Sequence, residues 1–307
     1  MQRKIWMNGD YVNWEDAQVH ILSHSHQRGS LIFGFIPIFE NDGVISLFRL
    51  NDHVERLFTS CETAGIPLEY SPKDIQLAIK DTVRKNPGSK FVKISVYIAS
   101  IEIDVVPQDP FSTVAIAAYE PQEDIISKNS QPFHSSKELS VWLEKKKHQR
   151  RHDIIPPQIK IAGNYTSSMM AKWQARKNGY DEIIFTNEKG FITEAPTSNV
   201  FIFNQKGCLL TAHEDDVLYG ITRKSILEIA ESESIPIKIG RVSTDELLNA
   251  KEVFISSSSH LICPVIKVDK NFVGEGKIGE LTVSLKNRFN KIITLEDNIF
   301  RYWLSDV

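Results

Sequence analysis

The feature that most constrains the fold is a strict alternation of side chains between Phe91 and Ala99. Apolar residues stand at every second position, namely Val92, Ile94, Val96 and Ile98. The residues between them are Lys93, Ser95 and Tyr97, which carry polar groups. Because successive side chains of a strand point to opposite faces, this pattern predicts one core face and one polar face. Such a strand is typical of antiparallel sheets.

Several further segments read as strand pairs joined by turns that favour positive φ angles. The predicted pairs are 4–7 with 11–14, 34–40 with 44–48, 183–185 with 191–193, and 200–203 with 208–211. Helices are predicted over 51–64 with Asn51 as cap, from Ser71 onward, and over 222–230, 244–249 and 281–295. The fold class that this indicates is α+β or mixed α/β, with antiparallel pairing common.

A chain of 307 residues predicts two domains. The stretch 121–137 is poor in apolar residues and is typical of a linker. We therefore expect a smaller α/β domain over 1–122, an interdomain linker over 123–137, and a larger strand-rich domain over 138–307.

Composition disfavours several classes of protein. The net charge of −3 gives no support for a nucleic-acid or membrane-surface binder. The basic stretch 145–152 lacks interleaved aromatic residues and is read as a solvated loop. Three widely spaced cysteines predict neither disulfides nor a metal site, and without an apolar leader the chain is expected to be cytoplasmic.

Two ionisable residues stand in contexts that could carry chemistry. Lys160 lies in the apolar stretch Ile159–Ile161; it is either an edge-strand lysine or an amine in an apolar pocket, where a neutral amine can form a Schiff base. Glu194 ends the predicted strand 191–193. It is either a solvated acid or the partner of a pyridine nitrogen, which it would keep protonated.

Two segments could bind an anion. Gly220 and Thr222 precede a predicted helix, where free N–H groups and the helix dipole favour negative charge. The serines 256–259 follow the predicted strand 252–255 and offer further hydroxyl donors. Alternatively, Thr222 is a plain cap and the serines form an ordinary turn.

Taken in order, these segments resemble the class IV aminotransferases, the fold-type IV pyridoxal-phosphate enzymes. The resemblance spans nearly the whole chain and is nearest to the branched-chain type. The matching segments are 6–9, 14–17 with 19–20, 56–57, 160–165, 179–182, 193–194 with 199, 220–223, 252–254, 264–265 and 274–276.

The resemblance implies a pyridoxal 5'-phosphate cofactor and a role for each matching residue. Lys160 corresponds to the Schiff-base lysine that also shuttles protons, Glu194 to the acid at the pyridine nitrogen, and Tyr165 to the tyrosine at the phenolic oxygen. The phosphate contacts correspond to Arg56, Ile221, Thr222 and Ser258, with Ser257 beside them at a position that is often glycine.

The departures from the family concern the substrate. Arg28 replaces a tyrosine, while Pro37 and Lys93 replace arginines that help to hold the substrate carboxylate. The expected substrate-binding residues are Arg28, Phe33, Lys93, Tyr97 and Ser259.

The resemblance implies an aminotransferase that acts on an amino acid, of the branched-chain type, and a 2-oxo acid, and that forms a homodimer. The alternatives are an aminodeoxychorismate lyase, which releases pyruvate in folate synthesis, and a catalytically silent relative. Retention of Lys160, Glu194, Tyr165 and Arg56 together argues against the silent relative.

Overall fold

A computed structural model describes residues 2–129, 136–147, 151 and 153–307. Backbone contacts divide the chain into two compact units. Unit 1 comprises Met1–Phe133, Ile159–Gly163 and Ile292–Val307, and unit 2 comprises His134–Gln158 and Asn164–Lys291. Parts of the predicted linker (130–135) and of the basic stretch (148–150 and 152) lie outside the described residues. The domain boundaries from the sequence stay a prediction.

Unit 1 is built on a seven-stranded sheet whose pairings are antiparallel. Its strands are β1 (Lys4–Met7), β2 (Asp10–Asn13), β3 (Leu31–Asn41), β4 (Val44–Phe48), β5 (Phe91–Ile98), β6 (Ser112–Tyr119) and β16 (Leu304–Asp306). Their order across the sheet is β16-β4-β3-β5-β6-β1-β2. The first two predicted hairpins are confirmed, and β5 confirms the alternating strand.

Two helices, α2 (Leu50–Ala64) and α3 (Pro72–Lys85), cover one face of this sheet. Unit 1 also contains the short helices α1 (His24–Arg28) and α4 (Pro121–Asp124). The apolar positions of β5 lie in one core with residues of α2 and α3, including Val54, Leu57 and Ile79. This arrangement leaves Lys93 and Ser95, on the opposite side of β5, outside the core.

The start of α2 corrects one prediction. The helix begins at Leu50, and its cap is Arg49 in a left-handed conformation (φ 47°), so Asn51 lies inside the helix. The Arg49 backbone N–H donates to the Trp303 carbonyl, a contact 254 positions away that sequence reasoning could not supply. The cap at Ser71, by contrast, is confirmed, and with Asp74 it forms a capping box.

Unit 2 is built on a nine-stranded mixed sheet. Its strands are β7 (Leu139–Glu144), β8 (Glu182–Phe185), β9 (Glu194–Ala195), β10 (Ser198–Phe203), β11 (Leu209–Ala212), β12 (Ile237–Gly240), β13 (Glu252–Ser257), β14 (Leu261–Val268) and β15 (Asn271–Phe272). The main order is β12-β11-β10-β13-β14-β7-β8, with β9 paired to β10 and β15 to β14. The helices that follow β7 are α5 (Tyr165–Lys177), α6 (Ile221–Ser232), α7 (Thr244–Leu248) and α8 (Glu280–Ile293).

One predicted hairpin of unit 2 is wrong in detail. Residues 191–193 make two isolated bridges, Ile192 to Thr186 and Phe191 to Ser243, instead of a continuous strand along β8. The short strand β9 begins at Glu194 and pairs with β10, so Glu194 lies within a strand rather than after one. The hairpin of β10 and β11 is confirmed, as is the capping box of Ser243 and Glu246 at α7.

No helix in the described part of the chain is both long enough and apolar enough to cross a membrane.

Candidate functional site

Lys160 is fixed in unit 1 by contacts from two distant parts of the chain. Its backbone N–H donates to the Ser60 Oγ of α2 (3.2 Å), and its carbonyl accepts from the Phe33 N–H of β3 (3.1 Å). A bridge between Ile32 and Ile161 continues the pairing with β3. Lys160 is therefore paired to a core strand, and its side chain is half-buried.

The amine of Lys160 lies against an aromatic ring. Its Nζ is 4.8 Å from the centre of the Phe33 ring, and Lys93 Nζ is 5.3 Å from the centre of the same ring. An ammonium is attracted to the face of an aromatic ring, and such contacts hold long side chains in place. The structure thus brings Phe33 and Lys93, both predicted to bind substrate, to the predicted catalytic lysine.

The polar face of β5 lines a cavity of about 540 Å³ within unit 1. Lys93, Ser95, Tyr97 and His26 give it a polar side, while its apolar lining comes from residues such as Ile5, Met7, Leu31 and Ala117. Burial raises the pKa of Tyr97 despite its hydrogen bond with Thr113, which favours the neutral phenol at physiological pH.

Arg28 is not among the residues that line this cavity. It ends α1, is exposed, and donates from its guanidinium to the Gln27 and Ile103 carbonyls (3.3 Å each). The structure therefore does not group Arg28 with Lys93 and Tyr97, and its predicted role in substrate binding stays a prediction.

Glu194 is buried in unit 2, with 3% of its surface exposed. Its Oε2 accepts the Leu218 N–H (3.2 Å) and an Asn199 Nδ2 hydrogen (3.5 Å). Asn199 also donates to the Leu218 carbonyl (2.9 Å) and so ties the strand to the loop before α6. A carboxylate held this way keeps a fixed direction, as a partner for a protonated ring nitrogen requires.

The start of α6 is arranged to receive an anion. Gly220 is the cap residue and offers no side-chain acceptor, so the first N–H groups of the helix are not capped by it. A Cβ at position 220 would collide with the Asn199 carboxamide, which explains the glycine. The first two residues of the helix are Ile221 and Thr222. Both are buried, and both are predicted to contact the phosphate.

Two buried hydroxyl groups of unit 2 lie near the start of α6. Thr222 Oγ1 (residue 2% exposed) and Ser256 Oγ (1%) have no hydrogen-bond partner among the described residues. Ser256 pairs with Asn199 across β13 and β10, and Asn199 in turn pairs with Glu194. An acid and unsatisfied hydroxyls beside an open helix start fit the ring nitrogen and the phosphate of pyridoxal phosphate.

The remaining serines of the turn differ from Ser256. Ser257 Oγ lies 2.9 Å from Ser259 Oγ and 3.0 Å from His260 Nδ1, so these side chains are bonded to one another. Ser258 is half-buried and Ser259 is exposed. Tyr165 opens α5 and is half-buried.

Sequence reasoning missed the roles of Ser60, Asn199 and Ser256. Ser60 stands four positions after Arg56, on the same side of a helix, and that spacing could have marked it. Asn199 belongs to one of the matching segments, but its contact with Leu218 depends on tertiary structure. In the sequence Ser256 is only one of four consecutive serines.

Comparisons with known proteins agree with this geometry. Residues 36–268 match the family model described as amino-transferase class IV. The branched-chain-amino-acid aminotransferase of Escherichia coli (strain K12) is 30% identical over 304 residues, which cover 99% of this chain and 97% of that protein. A probable branched-chain-amino-acid aminotransferase of Aquifex aeolicus is 27% identical over 98% of this chain and 96% of that protein.

Solved structures are similar over the full length. The branched-chain aminotransferase of Thermoproteus uzoniensis, crystallised with norvaline, aligns with a TM-score of 0.89 at 29% identity and covers 100% of this chain and 99% of that one. The Escherichia coli branched-chain enzyme aligns with a TM-score of 0.90 at 28% identity, over 99% of each chain.

Proposed function

We propose, because the chain belongs to the class IV aminotransferase family, that its amino donors are branched-chain amino acids. As a member of that family it is a pyridoxal-phosphate-dependent enzyme that moves an amino group between an amino acid and a 2-oxo acid. Its two-unit α+β structure is of the fold-type IV kind. The choice of donor is supported by relatives named for branched-chain substrates and by the apolar lining of the unit 1 cavity.

Lys160 and Glu194 carry the chemistry in this proposal. Lys160 Nζ holds the cofactor covalently between turnovers and moves a proton to and from the reacting carbon. The Glu194 carboxylate holds a proton on the pyridine nitrogen, and Tyr165 donates to the phenolic oxygen. When bound, pyridoxal phosphate supplies a ring that withdraws electrons from the substrate carbon.

Donors from several elements position the cofactor. Arg56 pairs with the phosphate as a guanidinium. The Ile221 and Thr222 N–H groups at the start of α6 bind phosphate oxygens, together with Ser257 and Ser258. The observation that carries the proposal is the buried Glu194 held by Leu218 and Asn199, together with the Thr222 hydroxyl at the open helix start, which has no hydrogen-bond partner among the described residues.

The proposed substrate-binding residues belong to unit 1 and to the turn that contains the serines 256–259. Phe33 and Tyr97 bound the substrate side chain, and Lys93 holds a carboxylate as a point charge instead of through a bidentate fork. Arg28 and Ser259 complete the proposed set. The cavity contains no arginine among its described lining residues, which favours aminodeoxychorismate lyase as the second candidate.

A donor panel tests this proposal. Purified enzyme is supplied with each enantiomer of valine, leucine and isoleucine plus 2-oxoglutarate, and the new 2-oxo acid is measured, with Lys160→Ala as the blank. We expect turnover with at least one enantiomer of all three donors. Pyruvate release from aminodeoxychorismate without transamination of any donor would replace the proposal with the lyase.

We further propose a cytoplasmic homodimer that needs no nucleic acid or membrane. The thiols of Cys61, Cys208 and Cys263 are free, which suits a reducing compartment. Light scattering after size exclusion is expected to give twice the chain mass of 35.0 kDa. A mass of one chain across the working concentration range would contradict the dimer.

A further inference from the structure

One face of α2 carries a row of polar residues directed to the same side of the helix. Arg49 caps the helix, and His53, Arg56 and Ser60 follow at spacings of four, three and four positions. Such spacings place side chains on one helix face. Ser60 accepts the Lys160 N–H (3.2 Å), so the row reaches the segment of the catalytic lysine within unit 1.

His53 has no role in the mechanism above. It is 2% exposed, and neither Nδ1 nor Nε2 has a hydrogen-bond partner in the part of the chain that the structure describes. A neutral imidazole has one N–H donor and one acceptor. Leaving a buried donor unsatisfied is destabilising, so a ligand that accepts this N–H would stabilise the site.

The charges that act on His53 are positive. Burial, first of all, and then Arg56, Lys160 and Arg49 hold the pKa of His53 well below its usual range, so the ring is neutral. Arg49 is already engaged: its Nη1 lies 3.3 Å from the Asp52 carboxylate, and its guanidinium is 4.3 Å from the Trp303 ring centre. A neutral donor within a positive field is suited to an anion.

We propose that His53 is a phosphate-binding residue, whose imidazole N–H acts with the Arg56 guanidinium to hold the phosphate group of the cofactor. The inference rests on the proposed roles of Arg56 and Lys160. Since the imidazole is neutral, it adds a directed hydrogen bond and no further positive charge.

Cofactor affinity with and without the phosphate group tests this role. The apoenzyme is titrated with pyridoxal phosphate and with pyridoxal, which lacks phosphate, and binding is read from the visible absorption band. His53→Phe is expected to weaken pyridoxal phosphate binding about ten- to a hundredfold, as for a lost hydrogen bond to a charged group. Pyridoxal affinity should change by less than about twofold, because the phosphate is absent.

Two variants sharpen the result. His53→Gln keeps an N–H donor and should retain more of the phosphate preference than His53→Phe. His24→Phe is the matched control: His24 is also buried, but its ring nitrogens are bonded to Ser30 Oγ and the Val105 carbonyl (2.8 Å each). This control should leave the ratio of the two affinities unchanged.

An unchanged ratio in a folded His53→Phe enzyme would make His53 a core residue and overturn the inference. If that variant does not fold, nitrogen NMR of the wild-type apoenzyme decides: saturating inorganic phosphate must shift the His53 imidazole resonance, and no shift overturns the inference. Failure of the wild-type enzyme to give the visible band with either aldehyde would contradict the role of Lys160 instead.

Discussion

Lys160 and Glu194 are held by partners at very different distances along the chain. Lys160 stands on a short segment, Ile159–Gly163, that belongs to unit 1 although the residues before and after it belong to unit 2. Its Ser60 contact spans 100 positions. Glu194 is bonded to Asn199 and Leu218, which are 5 and 24 positions away.

The difference shows how each group depends on the rest of the fold. Glu194 is positioned by a strand pair and the adjoining loop, so its direction is set once this part of unit 2 forms. Lys160 requires β3 and α2 to be assembled before its backbone has partners. We therefore expect changes near Glu194 to act locally and changes at α2 or β3 to reach the lysine.

The largest expected effect is that of Lys160→Ala. The variant should lose at least about a thousandfold in kcat/KM, since it removes both the covalent link and the proton carrier. Its backbone contacts with Ser60 and Phe33 do not need the side chain, so its circular dichroism and melting temperature should stay near wild type. Retention of wild-type turnover would refute the assignment.

Glu194→Gln is expected to have the next largest effect. The amide keeps the shape of the side chain but cannot hold a proton on the pyridine nitrogen, so kcat should fall about a hundredfold or more. The Leu218 N–H keeps an acceptor, and the fold should be retained. Rapid-quench kinetics of one half-reaction measures this, and a loss below about threefold would assign Glu194 a structural role.

Ser60→Ala tests whether the distant contact matters. The Lys160 N–H would lose its acceptor, which should lower the free energy of unfolding by about 1–3 kcal/mol and reduce turnover. Thr63→Ala is the matched control on the same helix, because exposed Thr63 bonds only to the Thr59 carbonyl among its described hydrogen bonds. Equal losses in both variants, measured by urea unfolding, would argue against a special role for Ser60.

The smallest expected effect is on the pH dependence of stability. The folded pKa of His53 is lowered, while the unfolded chain protonates histidine near pH 6.5. Below that pH the unfolded state binds a proton that the folded state does not, so stability is lost as pH falls. Between pH 7.5 and 5.5 the apoenzyme should lose about 1 kcal/mol more than His53→Gln. Equal losses would contradict a neutral buried His53.

Much of the fold follows from local patterns. The alternation at β5, the turns of the hairpins β1–β2 and β3–β4, and the caps at Ser71 and Ser243 depend on residues close in sequence, and the structure confirms them. The prediction that Asn51 caps α2 is wrong because the Trp303 carbonyl holds the backbone of Arg49, which caps the helix instead. The predicted strand at 191–193 is wrong because Phe191 and Ile192 make only isolated bridges, to Ser243 and Thr186, and the regular strand pairing begins at Glu194.

The sequence alone indicated the family and the cofactor. It also identified Lys160, Glu194 and the start of α6 as candidate site residues, because each of them lies in a short motif whose chemistry is local. Only the tertiary structure decided that Phe33 and Ser60 hold Lys160, that Asn199 pairs with both Glu194 and Ser256, and that His53 is buried without a hydrogen-bond partner among the described residues. These depend on side chains far apart in sequence, whose meeting is set by the packing of strands and helices.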